Sequence, residues 1–128
     1  MPNKYFDQWM KQLDLSYWGT AQHKISPAQF FERQQTEDVV LMDIRSSEEV
    51  TYLALPFALH IPIDELPERW KEIPDGKLVA TFCSSATRAT VACIYLQLQG
   101  LDNVRILDAH YNELTAELKP GKIYKRTR

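Results

Sequence analysis

No run of apolar residues in this 128-residue chain approaches the ~20 needed for a helix to cross a bilayer. Cysteine is scarce: two residues cannot staple a fold, and they point to no disulfide scaffold. Cys83 and Cys93 stand ten apart and the three histidines are scattered, so no metal site is expected. The opening residues, Met1-Pro2-Asn3-Lys4-Tyr5-Phe6-Asp7, lack the basic-then-apolar layout of a signal peptide, and the expected location is the cytoplasm. Internal repeats and low-complexity segments are missing as well. So is any general excess of positive charge: the net charge is −2, which argues against a nucleic-acid binder. One local exception is the stretch from Lys119 to Arg128, with five basic and no acidic residues. The rest of the chain, with ten basic against seventeen acidic side chains, carries −7. This 119–128 tail has two readings, a solvated and partly disordered end or a docking strip for an acidic partner.

What is present is an ordinary globular composition, 45% apolar and 25% charged, with enough chain for one core. Residues 4–14 have the spacing of an amphipathic helix, with Phe6, Met10 and Leu13 on one face. The 1–24 extension is expected to pack on the domain or to serve as a partner-binding element. A short strand is expected near His23–Ile25, and Ser26-Pro27-Ala28-Gln29 is a capping box that opens a helix to about Gln35. Val39-Val40-Leu41-Met42 is a continuous apolar run, the signature of a parallel strand covered on both faces. Ser46-Ser47-Glu48-Glu49 then caps a short helix. Ala58–Pro62 reads as a strand, Asp64 to Ile73 as a helix, and Asp75-Gly76 as a turn. Asn103–Leu107 reads as the last strand and Tyr111–Leu118 as the last helix, stopped by Pro120-Gly121. Strands and helices alternate, which predicts an α/β domain with a parallel sheet.

The stretch from Leu78 to Gly100 organises the rest. Leu78–Phe82 is a short β-forming run that stops at Cys83. Cys83-Ser84-Ser85-Ala86-Thr87-Arg88 follows, small and polar with one thiol and one cation. From Ala89 the spacing of Val91, Ile94, Tyr95 and Leu98 is helical, and Gly100 is the expected C-cap. A thiol at the carboxyl end of a strand lies where open α/β sheets bind ligands. The unpaired N–H groups at the start of the next helix carry partial positive charge. Such settings lower a thiol's pKa to roughly 3.5–7.5, and the thiolate is the nucleophile. Cys83 is therefore the expected reactive atom, whereas Cys93, inside an apolar helix, is expected to be buried and inert.

The loop resembles the active-site loop of single-domain rhodanese-like sulfurtransferases, commonly Cys-x-x-Gly-x-Arg followed by a small residue. Cys83, Arg88 and Ala89 match in register, and Ala86 stands at the glycine position. If that position takes a positive φ, alanine costs about 1 kcal/mol or more over glycine. The resemblance runs from about Ile25 to Leu118. Leu41-Met42-Asp43-Ile44-Arg45 is similar to the family's Leu-Ile-Asp-Val-Arg strand, Glu48 or Glu49 to its following acid, and Ile106-Leu107-Asp108 to its Val-Leu-Asp. Leu53–Ala58 and Ala109-His110 depart from the family's glycine-rich turns, so an altered pocket is expected.

The resemblance implies a three-layer rhodanese-like domain over residues 25–118, with about five parallel strands and helices on both faces. It implies sulfur transfer: the Cys83 thiolate takes sulfane sulfur from thiosulfate or a persulfide and passes it to a thiol, cyanide or a sulfur-carrier protein. The intermediate is a cysteine persulfide, with no cofactor and no metal. Ser84, Ser85, Ala86, Thr87 and Arg88 would form a nest around the sulfur. Arg88 has two readings, attracting an anionic donor or pairing with an acid to brace the loop. Asp43 reads as an anchor of neighbouring backbone, Arg45 as an ion-pair member, and His110 as a pocket candidate or an exposed imidazole. With one cation in the loop, the dianion thiosulfate is expected to be the poorer donor. Two other functions compete. A non-catalytic interaction module could use the same scaffold. Phosphatase or arsenate-reductase chemistry uses a Cys…Arg loop with five intervening residues, where this one has four.

Overall fold

The apolar runs become the strands of one parallel sheet. In a computed structural model, which describes residues 3–128, the strands are β1 (Lys24–Ile25), β2 (Val39–Asp43), β3 (Ala58–His60), β4 (Leu78–Phe82) and β5 (Val104–Leu107). Their order is β1-β5-β4-β2-β3, with every pair parallel. β4 lies at the centre and pairs along its whole length with β2, from Val39 opposite Leu78 to Asp43 opposite Phe82.

Alternation along β4 sorts two cores, because successive side chains leave a strand on opposite faces. Leu78, Ala80 and Phe82 join a cluster with Phe30, Phe31, Leu107 and Leu114, beneath helices α3 (Pro27–Gln34) and α7 (Tyr111–Ala116). Val79 and Cys83 face the other way, into a cluster with Ile44, Ile61, Leu66, Ala89, Ala92 and Leu96. That face is covered by α5 (Leu66–Arg69) and the long helix α6 (Thr87–Leu98). The result is three layers around a parallel sheet: the sheet as the alternating pattern predicts, the three layers as the resemblance implies.

Both predicted capping boxes form. Ser26 and Gln29 open α3, and Ser46 and Glu49 open α4 (Ser47–Tyr52). The turn at Gly76 and the helix end at Gly100 take positive φ, 77° and 101°, the conformations for which glycine is suited. Three expectations need correction. The single helix expected over residues 4–14 is two, α1 (Lys4–Met10) and α2 (Leu15–Gly19), because the Asp14 side chain accepts from the Tyr17 N–H and starts a new helix. The helix expected from Asp64 to Ile73 is α5 flanked by 3-10 turns at Ile63–Glu65 and Trp70–Glu72.

The basic tail is not disordered. Pro120 begins helix α8 (Pro120–Arg126) instead of only ending the helix before it. Arg126 lies over the Phe31 ring at 4.8 Å and donates to the Glu117 carbonyl at 3.0 Å, which ties α8 to the domain. Among the described residues no helix is long and apolar enough to cross a membrane.

Candidate active site

β4 ends at Phe82, and the chain must rise from the sheet into α6 within a few residues. It does so through Ala86, whose φ of +73° is in the left-handed region. Ala86 occupies the N-cap position of α6 but has no side-chain acceptor to offer the first N–H groups of the helix. The thiol of Cys83 takes that role: the Ala89 N–H, at the third position of the helix, donates to Cys83 Sγ at 3.3 Å. Ala89 is fixed from its other side, where Thr81 Oγ1 donates to its carbonyl at 2.8 Å. Among the described residues the N–H groups of Ser84, Ser85, Ala86, Thr87 and Arg88 enter no intramolecular hydrogen bond. Cys83 is 1% exposed and forms the floor of this loop, whereas Ser85 and Thr87 are at the surface.

Arg88 is braced. Its guanidinium donates to both carboxylate oxygens of Glu49, at 2.6 and 2.9 Å, and more weakly to Ser84 Oγ at 3.3 Å. Glu49 also accepts from the Ser46 N–H and hydroxyl, at 3.1 and 2.9 Å, so one carboxylate closes the capping box and holds the loop cation. The Arg88 guanidinium, ahead of the Ser46 donors, pulls the Glu49 carboxyl down to a pKa of about 2. Glu49 in turn stabilises the charged form of Arg88.

A second ion pair supports the neighbouring strand end. Arg45 is fully buried and meets Asp43 through two parallel bonds, Nε to Oδ1 at 2.9 Å and Nη2 to Oδ2 at 2.7 Å. Two further guanidinium N–H groups, on Nη1 and Nη2, reach Tyr111 Oη at 3.1 Å and the Leu53 carbonyl at 2.8 Å. Phe82 and Tyr111 rings flank its charge at 5.6 and 5.5 Å. Asp43 raises the Arg45 pKa despite burial, so the guanidinium keeps its charge. His60 Nε2–H donates to the Arg45 carbonyl at 2.8 Å.

The structure thus gathers Cys83, the loop from Ser84 to Arg88, and Glu49 into one constellation, with Asp43 and Arg45 as a buried brace below the adjoining loop. His110 is not part of it: the residue is exposed at the start of α7, where its N–H donates to Glu113 at 3.1 Å. Cys93 is buried with its thiol pushed up to about 12 by that burial. The sequence reading missed the Ala89 amide and did not assign Glu49, named there only as a cap and one of two candidate acids, to Arg88. The Ala89 amide lies one residue past the expected loop, and its signal was the helix position it occupies. Glu49 was recognised as a cap, and a residue already given one partner was not assigned a second. A cavity of about 310 Å³, lined by His23, Lys24, Ala86, Thr90, Ile106 and Asp108, borders the loop. The larger cavities, about 680 and 700 Å³, lie around Leu101–Asn103, at the amino ends of the strands and away from Cys83.

Residues 26–117 match the sequence model of the rhodanese-like domain. A protein described as a sulfurtransferase in Allochromatium vinosum is 42% identical over 69 residues, 54% of this chain and 64% of the relative's own length. A putative sulfurtransferase of Bacillus subtilis, YtwF, is 32% identical over 84 residues, 65% of this chain and 82% of that protein. The solved human single-domain sulfurtransferase shares the fold, with a TM-score of 0.63 and 22% identity over 73% of this chain and 96% of that one. With its parallel sheet, its cysteine at the end of the central strand and a family match over most of its length, this chain belongs to the rhodanese-like domain family.

Proposed function

We propose that this chain is a sulfurtransferase that carries sulfane sulfur on Cys83. One observation bears most of the weight: Cys83 Sγ sits on the Ala89 amide beneath a loop whose other N–H groups are unpartnered. A terminal persulfide anion needs such donors, since its charge is diffuse and its second sulfur extends beyond the reach of a single amide. In the first step the Cys83 thiolate attacks the outer sulfur of a donor. The donor's S–S bond breaks, and its electron pair leaves on sulfite, for thiosulfate, or on a thiolate, for a persulfide. In the second step a thiol, cyanide or a carrier protein attacks the outer sulfur of the Cys83 persulfide and releases the thiolate. No cofactor enters either step. Two relatives described as sulfurtransferases or putative sulfurtransferases support the reading. It places the chain in a reducing compartment, the cytoplasm, where both cysteines stay free thiols.

The test is intact-mass spectrometry after incubation with thiosulfate and, separately, a persulfide. A gain of one sulfur atom is expected from at least one donor, retained in Cys93→Ser and lost in Cys83→Ser. No gain from either donor would leave the chain a non-catalytic module on this scaffold.

A further inference from the structure

Resting on the sulfurtransferase reading, we infer that Glu49 is a specificity-determining residue: by cancelling the charge of Arg88 it directs Cys83 toward persulfide donors and away from thiosulfate. Among the described residues, three cations near the loop each have an acidic partner. Arg88 is held bidentately by Glu49, Arg45 is sealed against Asp43, and Lys24, beside Ala86 in the neighbouring cavity, pairs with Asp108 at 3.4 Å. What faces an arriving donor is a set of neutral amides, the hydroxyls of Ser84, Ser85 and Thr87, and an Arg88 cation already shared with Glu49.

Charge balance then separates the donors. With thiosulfate the step is Cys–S⁻ plus S–SO₃²⁻ giving Cys–S–S⁻ plus SO₃²⁻, three negative charges brought together and three present at the end. With a persulfide anion it is Cys–S⁻ plus R–S–S⁻ giving Cys–S–S⁻ plus R–S⁻, two throughout. The added charge resides on the leaving group, close to a thiolate in a partly dehydrated site where like charges repel more than in water. Backbone dipoles can hold one sulfur anion, but a sulfonate beside it requires a counter-cation, and the Arg88 cation is shared with Glu49, 2.6 Å away. The Glu49 carboxyl, held near pKa 2, remains charged across the working pH range.

Glu49→Gln isolates the effect, since the amide oxygen can still accept from the Ser46 N–H and keep α4 capped while the negative charge is gone. The measurement is the second-order rate at which Cys83 gains one sulfur, read by quenched intact-mass spectrometry, with thiosulfate and with the persulfide of 2-mercaptoethanol, whose tail is uncharged. The wild-type chain should load from the persulfide at least tenfold faster. In Glu49→Gln the ratio of thiosulfate to persulfide loading should rise about tenfold, and an unchanged ratio would overturn the inference. Glu48→Gln removes the same charge from an exposed neighbour and should leave the ratio unchanged. Arg88→Gln, which leaves Glu49 bare, should lower the ratio of thiosulfate to persulfide loading, and it serves if Glu49→Gln does not fold. Equal wild-type rates from the two donors, or an equal shift in Glu48→Gln, would overturn the inference and leave sulfur transfer standing. Loading from neither donor would overturn sulfur transfer itself.

Discussion

Arg45 carries its charge at zero exposure, and the cost of stripping water from it is offset because each guanidinium nitrogen finds a partner. Removing one partner of such a pair leaves an uncompensated buried charge. Asp43→Asn should therefore destabilise the fold by about 3–5 kcal/mol, measured as a shift in the urea midpoint. The loss falls on stability, since Asp43 and Arg45 touch backbone and rings and not the thiol. At this scale the sequence was legible where one residue does one thing. Cys83 stood out by position, Cys93 by its apolar surroundings and Arg45 as an ion-pair member, whereas Asp43 was read as a backbone anchor and only the structure makes it the partner of Arg45. Arg88 could not be resolved in the same way, because its partner lies 39 positions away and only the fold brings Glu49 to it.

Among the elements, the loop between β4 and α6 shows most directly how local backbone and chemistry compete. Alanine at φ +73° sits in a region that costs an L-residue about 1 kcal/mol, and the glycine usual in the resembling loops would not meet that cost. Ala86→Gly should raise stability by about 0.5–1 kcal/mol, seen as a rise of a few degrees in the thermal midpoint, with Cys83 loading preserved. The central strands were readable as apolar runs, Val39–Met42 in β2 and Leu78–Phe82 in β4, the latter agreeing residue for residue. Helix ends were less so. Pro120 shows why: proline after a helix and proline at the first position of the next obey the same φ restriction, and a single sequence does not separate them. Asp14 raised the same ambiguity at the other end of the chain, where a residue inside an amphipathic pattern turned out to be a cap.

On the scale of the whole molecule, the first and last helices, α1 and α8, both return to the body. Trp9 Nε1–H donates to Gln97 Oε1 at 2.7 Å and joins α1 to α6, while α8 is pinned through Arg126 to Phe31 and Glu117. Part of the basic tail's charge is thus used within the fold. Truncation after Leu118 should cost about 1–3 kcal/mol in urea unfolding, from the lost cation–π contact and hydrogen bonds, and should leave sulfur loading of Cys83 intact. Stability and chemistry separate in this way because α8 packs on the α3 face and the thiol points into the α6 face.

The position of β4 has a consequence for durability. A strand hydrogen-bonded on both sides and covered above and below is the segment that frays last, since exposing its amides requires dismantling both neighbours. The cysteine is attached to the end of that segment. Breathing of the chain termini or of the edge strands can therefore proceed many times over while the sulfur keeps its seat, and a molecule loosened at its periphery remains chemically whole at its centre.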